Sequence, residues 1–274
     1  YPAAGDTAVI ANSGPIPDAP ATADDWVVDT LQINATATLD MSSQNLIVTG
    51  GFVNDGRLLH YGASTLDLRG TAVMDTDSGT VEYNGAGGAI QDFGATDYFN
   101  LTINSTGNTF TLGADLTLGA GGALTVQDGA LTVGTGLTAT SPGGATVQAP
   151  GQLNLADLAN LAVTAGDLDV DGNVTATAAT STISVGGSVL FDGATASLTN
   201  PGNTQIIFDG NGADSFDSGG LSMPRVELAK GGGSVTLVTN DVTQAGTASL
   251  VFSNTAATTL DLSGFDWTLA NTFN

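Results

Sequence analysis

From Trp26 onward the chain is written in short runs of four to six residues in which apolar and polar positions alternate, separated by Gly, Asn and Asp. Leu31-Gln32-Ile33, Leu46-Ile47-Val48, Leu101-Thr102-Ile103, Phe110-Thr111-Leu112, Leu131-Thr132-Val133 and Val235-Thr236-Leu237 are representative. In an extended chain, apolar residues at i and i+2 point to one side and the residue between them to the other. Each run therefore predicts a strand with one buried face. The buried face is narrow, with one or two large side chains per strand.

Aromatic residues make up only 6 % of the chain. A core between two packed sheets asks for more of them, whereas stacked aliphatic side chains fill the lumen of a solenoid. The pattern thus predicts an all-β fold, a right-handed parallel β-helix or β-solenoid. With coils of about 20 to 25 residues stacked about 4.8 Å apart, the chain makes about 11 to 13 coils in a rod roughly 55 Å long. Residues 1–25 hold four of the eight prolines and suit an N-terminal cap around one short strand at Thr7 to Ile10. Residues 26–274 read as one continuous solenoid. The stretch from Leu153 to Leu161 is the one segment that suits a short helix.

An internal repeat supports this organisation. A shift of 125 residues aligns Val81 to Leu112 with Ile206 to Leu237 without a gap. Gly85, Gly87, Asp92, Gly94, Gly107, Thr111 and Leu112 meet Gly210, Gly212, Asp217, Gly219, Gly232, Thr236 and Leu237. Tyr83, Leu101, Ile103 and Phe110 meet the apolar Phe208, Val226, Leu228 and Val235. Such modules bury a continuous core by stacking on their neighbours.

Residues 1–12, 28–56 and 80–118, which carry the Leu-x-Ile, Asn-Asp-Gly and Asn-Gly-Ala-Gly-Gly patterns, resemble the β-strand-repeat surface proteins of bacteria. Those include adhesin-like and autotransporter-passenger-like β-helices. The resemblance implies a secreted or surface-exposed rod, often part of a longer protein, and supplies no catalytic signature. The stretch after Tyr1 does not read as a signal peptide, so a mature product or an excised segment is expected. Residues 262–274 fall within what looks like another repeat. A further coil, from a continuing chain or from the next subunit, is expected to cover them.

Charge narrows the partners. Four Lys and Arg against 27 Asp and Glu give a formal net charge of −23, which repels phosphate backbones and anionic headgroups, so nucleic acid is not expected. No apolar run is long enough to span a bilayer as a helix. The chain has no cysteine, which removes disulfides and thiolate metal sites. The expected role is a non-catalytic extracellular rod, an adhesin stalk or a surface filament subunit that self-associates end to end, with surface glycans or other cells as further partners. A carbohydrate-binding or carbohydrate-cleaving β-helix and a calcium-stabilised adhesin repeat are the alternatives.

Individual residues add candidate chemistry. Asp167, Asp169 and Asp171, followed by Gly172, match the first half of a D-x-D-x-D-G calcium loop, but position 178 is Ala where that loop needs Glu. Gly210 to Phe216 resembles a single unit of a calcium-binding nonapeptide roll, and also an ordinary turn between coils. The pairs Asp24/Asp25 and Asp75/Asp77 offer carboxylates for acid–base work, though turn aspartates are far commoner. Arg57, Arg69, Arg225 and Lys230 are scattered in sequence. His60, the sole histidine, reads as a turn or surface residue beside Tyr61. Asn34, Asn100, Asn104 and Asn173 each begin an N-x-Thr glycosylation sequon. No catalytic residue and no resident cofactor other than calcium is expected.

Overall fold

The computed structural model describes residues 6–11, 14–15, 25–62, 64–177, 181–245, 249–253 and 257–269. Its strands pair in parallel and stack as a β-solenoid. Each coil turns through three walls. The first wall is a ladder of twelve rungs that runs from Gly14–Pro15 through Thr80–Tyr83, Ala145–Val147 and Ala213–Asp217 to Thr258–Asp261. Twelve rungs bound about eleven turns, in line with the expected number. One turn takes 19 residues where Thr38 lies beside Arg57 and 27 where Val189 lies beside Phe216, a wider spread than the sequence suggests.

The register explains why short runs with one apolar face are enough. On the first wall Leu39, Leu58, Val81, Leu101, Leu124, Ala145, Leu168, Val189, Phe216 and Leu237 pair in unbroken succession. All of them are buried. On the third wall Leu116, Ala139, Leu161, Ile183, Ile206, Val226 and Leu250 form a second column. Each rung adds a few side chains, each worth about 1.5 to 3 kcal/mol when fully buried, and the coils above and below complete their packing. The long strands Asn100–Leu112 and Leu124–Val133 carry the chain around the corner from the first wall to the second, with register shifts between Ile103 and Thr109.

One expectation needs revision. The stretch from Leu153 to Leu161 is not a helix: Gln152–Leu155 and Asn160–Val163 are strands on the second and third walls. Leu153 and Leu155 pair with Leu131 and Val133, and Leu161 with Ala139 and Ile183. These lumen contacts outweigh a weak helical preference. The corner between them turns at Leu158, a non-glycine residue at φ 55° that is left exposed. The single helical element among the described residues is the 3-10 turn Pro201–Asn203.

The 125-residue repeat is not a whole number of coils. Val81 and Leu101 pair on the first wall, whereas their counterparts Ile206 and Val226 pair on the third. Phe110 stands on the second wall beside Leu131, and its counterpart Val235 stands on the first beside Leu260. The repeat keeps its order of strands and turns but is rotated by one wall. Thr7–Ile10 is the expected N-terminal strand and pairs with the end of Trp26–Ile33. Most of the remaining cap, including Asp24, lies outside the described residues.

Candidate functional site

The carboxylate cluster that forms differs from the one that the linear motif names. In Leu168–Val170, Leu168 and Val170 face the lumen and Asp169 faces out. Because Asp169 pairs with Leu190, Asp171 falls beside Asp192 on the following coil. One carboxylate oxygen from each of Asp169, Asp171 and Asp192 lies within 4.8 Å of the others. Asp167 is not in this group; its Oδ1 accepts a 2.6 Å hydrogen bond from the backbone N–H of Ser188. Burial, reinforced by the charges of Asp171, Asp192 and Asp167, raises the Asp169 carboxyl above its ordinary value. Three such oxygens are fewer than the six to eight that calcium takes. The signal for Asp192 was its position one coil after Asp171, which becomes visible only when the register is known.

The other candidate carboxylates brace the coil. Asp75 accepts from the backbone N–H groups of Asn54 and Asp77 and so caps a corner. Asp25 accepts from Asn45. Asp214, inside the stretch that resembles a nonapeptide roll, belongs to the strand Ala213–Asp217 and forms an ion pair with the fully buried Lys230. The remaining cations pair as well: Arg57 with Glu82, Arg69 with Asp67 and Arg225 with Glu227. Residues scattered in sequence are therefore tied, each to a carboxylate nearby in the coil.

His60 is not a turn or surface residue. It ends the strand Arg57–His60 facing the lumen, 1 % exposed, and stacks on Tyr83 with ring centroids 4.4 Å apart. Its Nε2 lies 2.7 Å from Gln91 Oε1, and that oxygen also accepts from the backbone N–H of Leu66. The Gln91 amide is thereby oriented as an acceptor, so Nε2 carries the proton. Nδ1 has no partner. Burial lowers the pKa of His60, with the Gln91 bond opposing. Tyr83 and Tyr98 share a 2.9 Å hydrogen bond in the same interior, and burial pushes the Tyr83 phenol up to about 12.

Three of the four sequon amides are engaged across coils. Asn100 donates to the Gly79 carbonyl and accepts from the Ala123 N–H. Asn104 donates to Glu82, and Asn173 accepts from Ser197. Asn34 occupies the corner after Trp26–Ile33.

The last described rungs, Leu250–Phe252, Thr258–Asp261 and Trp267–Thr268, carry no further strand on their outer side among the described residues. Leu250, Phe252, Leu260, Leu262, Trp267 and Leu269 line a groove of about 500 Å³ there. No family model, curated protein or solved structure matches the chain. No helix among the described residues is long and apolar enough to cross a membrane.

Proposed function

We propose that the chain is a section of an extracellular, non-catalytic β-solenoid rod that associates end to end, as a surface filament subunit or an adhesin stalk. The terminal groove is the observation behind this reading. On the first wall each rung from Thr38–Asp40 to Gly233–Leu237 is paired on both sides. At Thr258–Asp261 no described residue pairs with the outer edge, and Leu260 is half-buried. A second copy would meet both needs through its first described rungs, Thr7–Ile10 and Gly14–Pro15, which among the described residues pair on one side only and bring Ala8 and Ile10 toward the core. A head-to-tail contact of this kind does not close on itself and grows as an open filament. The net charge of −23 supports the same reading, since like-charged flanks repel and disfavour side-by-side contact.

Sedimentation velocity over a concentration series tests this. The wild-type chain is expected to shift to heavier species as concentration rises, and Leu260→Arg, at the terminal rung, is expected to hold it monomeric. A wild-type protein that stays monomeric throughout, or a variant that associates equally well, contradicts the proposal.

A further inference from the structure

A cleft opens on the flank of the rod, far from the terminal groove. Asp40 pairs with Leu59 and Leu59 with Glu82 in three adjacent rungs. Two residues further along, each coil reaches the corner at Ser42, Tyr61 and Asn84, stacked above one another. With Ser43 and Asp40 they line a cleft of about 310 Å³. Tyr61 is 39 % exposed, whereas Tyr83, Tyr98 and Phe110 in the same region are buried in the lumen. An aromatic ring set outward among Asp, Asn and Ser adds nothing to the core.

The ring is backed and held. A Cβ on Gly85 would lie 2.4, 2.5 and 2.8 Å from Tyr61 Cδ2, Cγ and Cε2, so only glycine lets the ring lie directly on the next coil. Gly62 is pressed against the Ala86 carbonyl in the same way, and His60 is locked inside by Tyr83 and Gln91. The chain on both sides of Tyr61 is thus fixed before any ligand arrives. In the same cleft, Asp40 Oδ1 accepts from the backbone N–H of Ser42 at 2.7 Å, and no donor among the described residues reaches its other oxygen. The Asn84 side-chain oxygen is buried without a partner, so its amide meets the cleft with the N–H groups.

We propose that this cleft binds a neutral saccharide. The C–H face of a pyranose ring stacks on an aromatic platform, and its hydroxyls donate to a carboxylate, accept from an amide N–H and exchange hydrogen bonds with serine hydroxyls. Ser42 and Asn84 are two rungs apart, about 10 Å, which suits a sugar lying along the coil stack. The lining has one carboxylate and no cation. Arg57, on the same wall, is committed to Glu82. An anionic sugar would meet repulsion without compensation.

Saturation-transfer NMR with cellotetraose, maltotetraose, mannotetraose and β-galactotetraose, and with sialyllactose and trigalacturonate as anionic controls, tests the proposal. At least one neutral oligosaccharide is expected to bind with millimolar affinity. Tyr61→Ala is expected to weaken that binding at least about tenfold, and Tyr61→Phe, which keeps the platform, to stay within about threefold. Ser43→Arg, at an exposed corner position, fills the cleft without touching the core and is expected to abolish binding even if Tyr61→Ala disturbs its coil. No binding by any neutral sugar, preference for the anionic controls, or unchanged binding in both Tyr61→Ala and Ser43→Arg overturns it. Because the cleft is on the flank, it stands or falls independently of end-to-end association.

Discussion

At the scale of single residues, the polar groups inside the coil set the sharpest tests. Lys230 is fully buried against Asp214, so Lys230→Met leaves a carboxylate in the interior without its partner. Breaking a buried pair from one side costs about 3 to 5 kcal/mol, to be read from urea unfolding; a loss under about 1 kcal/mol would contradict the pairing. His60 gives a pH dependence. Its unfolded form takes up a proton near 6.5 and its folded form only at lower pH, because burial disfavours the charge and Nδ1 has no acceptor to meet. The contribution is complete above about pH 6.5 and is lost as pH falls below it, since the unfolded chain then binds the extra proton. Between pH 7 and 5 the wild type is expected to lose more stability than His60→Gln, and equal slopes would refute that role. At the acidic cluster the sign is opposite. Asp169→Asn removes a partly buried charge and with it the repulsion from Asp171 and Asp192, and is expected to raise the melting temperature in EDTA by about 1 to 3 °C. A fall in EDTA would show that the cluster is not governed by like-charge repulsion.

At the scale of the strand, stability comes from columns, so equivalent positions on one rung differ sharply in value. Leu161 is fully buried between Ala139 and Ile183, and Leu161→Ala is expected to cost about 2 to 5 kcal/mol. Thr140, on the outer side of the neighbouring rung, is expected to tolerate Ala within about 0.5 kcal/mol. Thermal unfolding of the two variants separates the faces, and similar losses would mean that the register is wrong. This is also where the sequence was most legible: alternation at Leu31-Gln32-Ile33 or Leu131-Thr132-Val133 is a property of the strand alone. It was least legible where a residue's neighbour lies one coil away. Asp192 beside Asp171, Lys230 on Asp214 and Tyr61 over Gly85 all depend on a turn length that varies from 19 to 27 residues, which no local pattern reveals. His60 was misplaced for the same reason. Its polarity suggested the surface, and only Tyr83 and Gln91 on the adjoining coils give it a place inside.

At the scale of the whole molecule, the rotated repeat shows that the three walls are nearly interchangeable. A segment that serves the first wall at Thr80–Tyr83 serves the third at Thr204–Phe208 with the same apolar positions inward. A coil with such equivalent walls asks little of its neighbour beyond parallel direction and inward aliphatic residues. In the proposed assembly a second copy at the terminal groove would meet that requirement, and the flanks would be left to polar chemistry such as the cleft at Tyr61. The most direct measurement is the particle length distribution in negative-stain electron microscopy over a concentration series. Eleven rung intervals of about 4.8 Å give a unit of roughly 50 Å, so rods of constant width whose lengths fall at multiples of that unit and grow with concentration are predicted. Round particles would contradict the fold, and rods of a single unit length at every concentration would contradict end-to-end assembly.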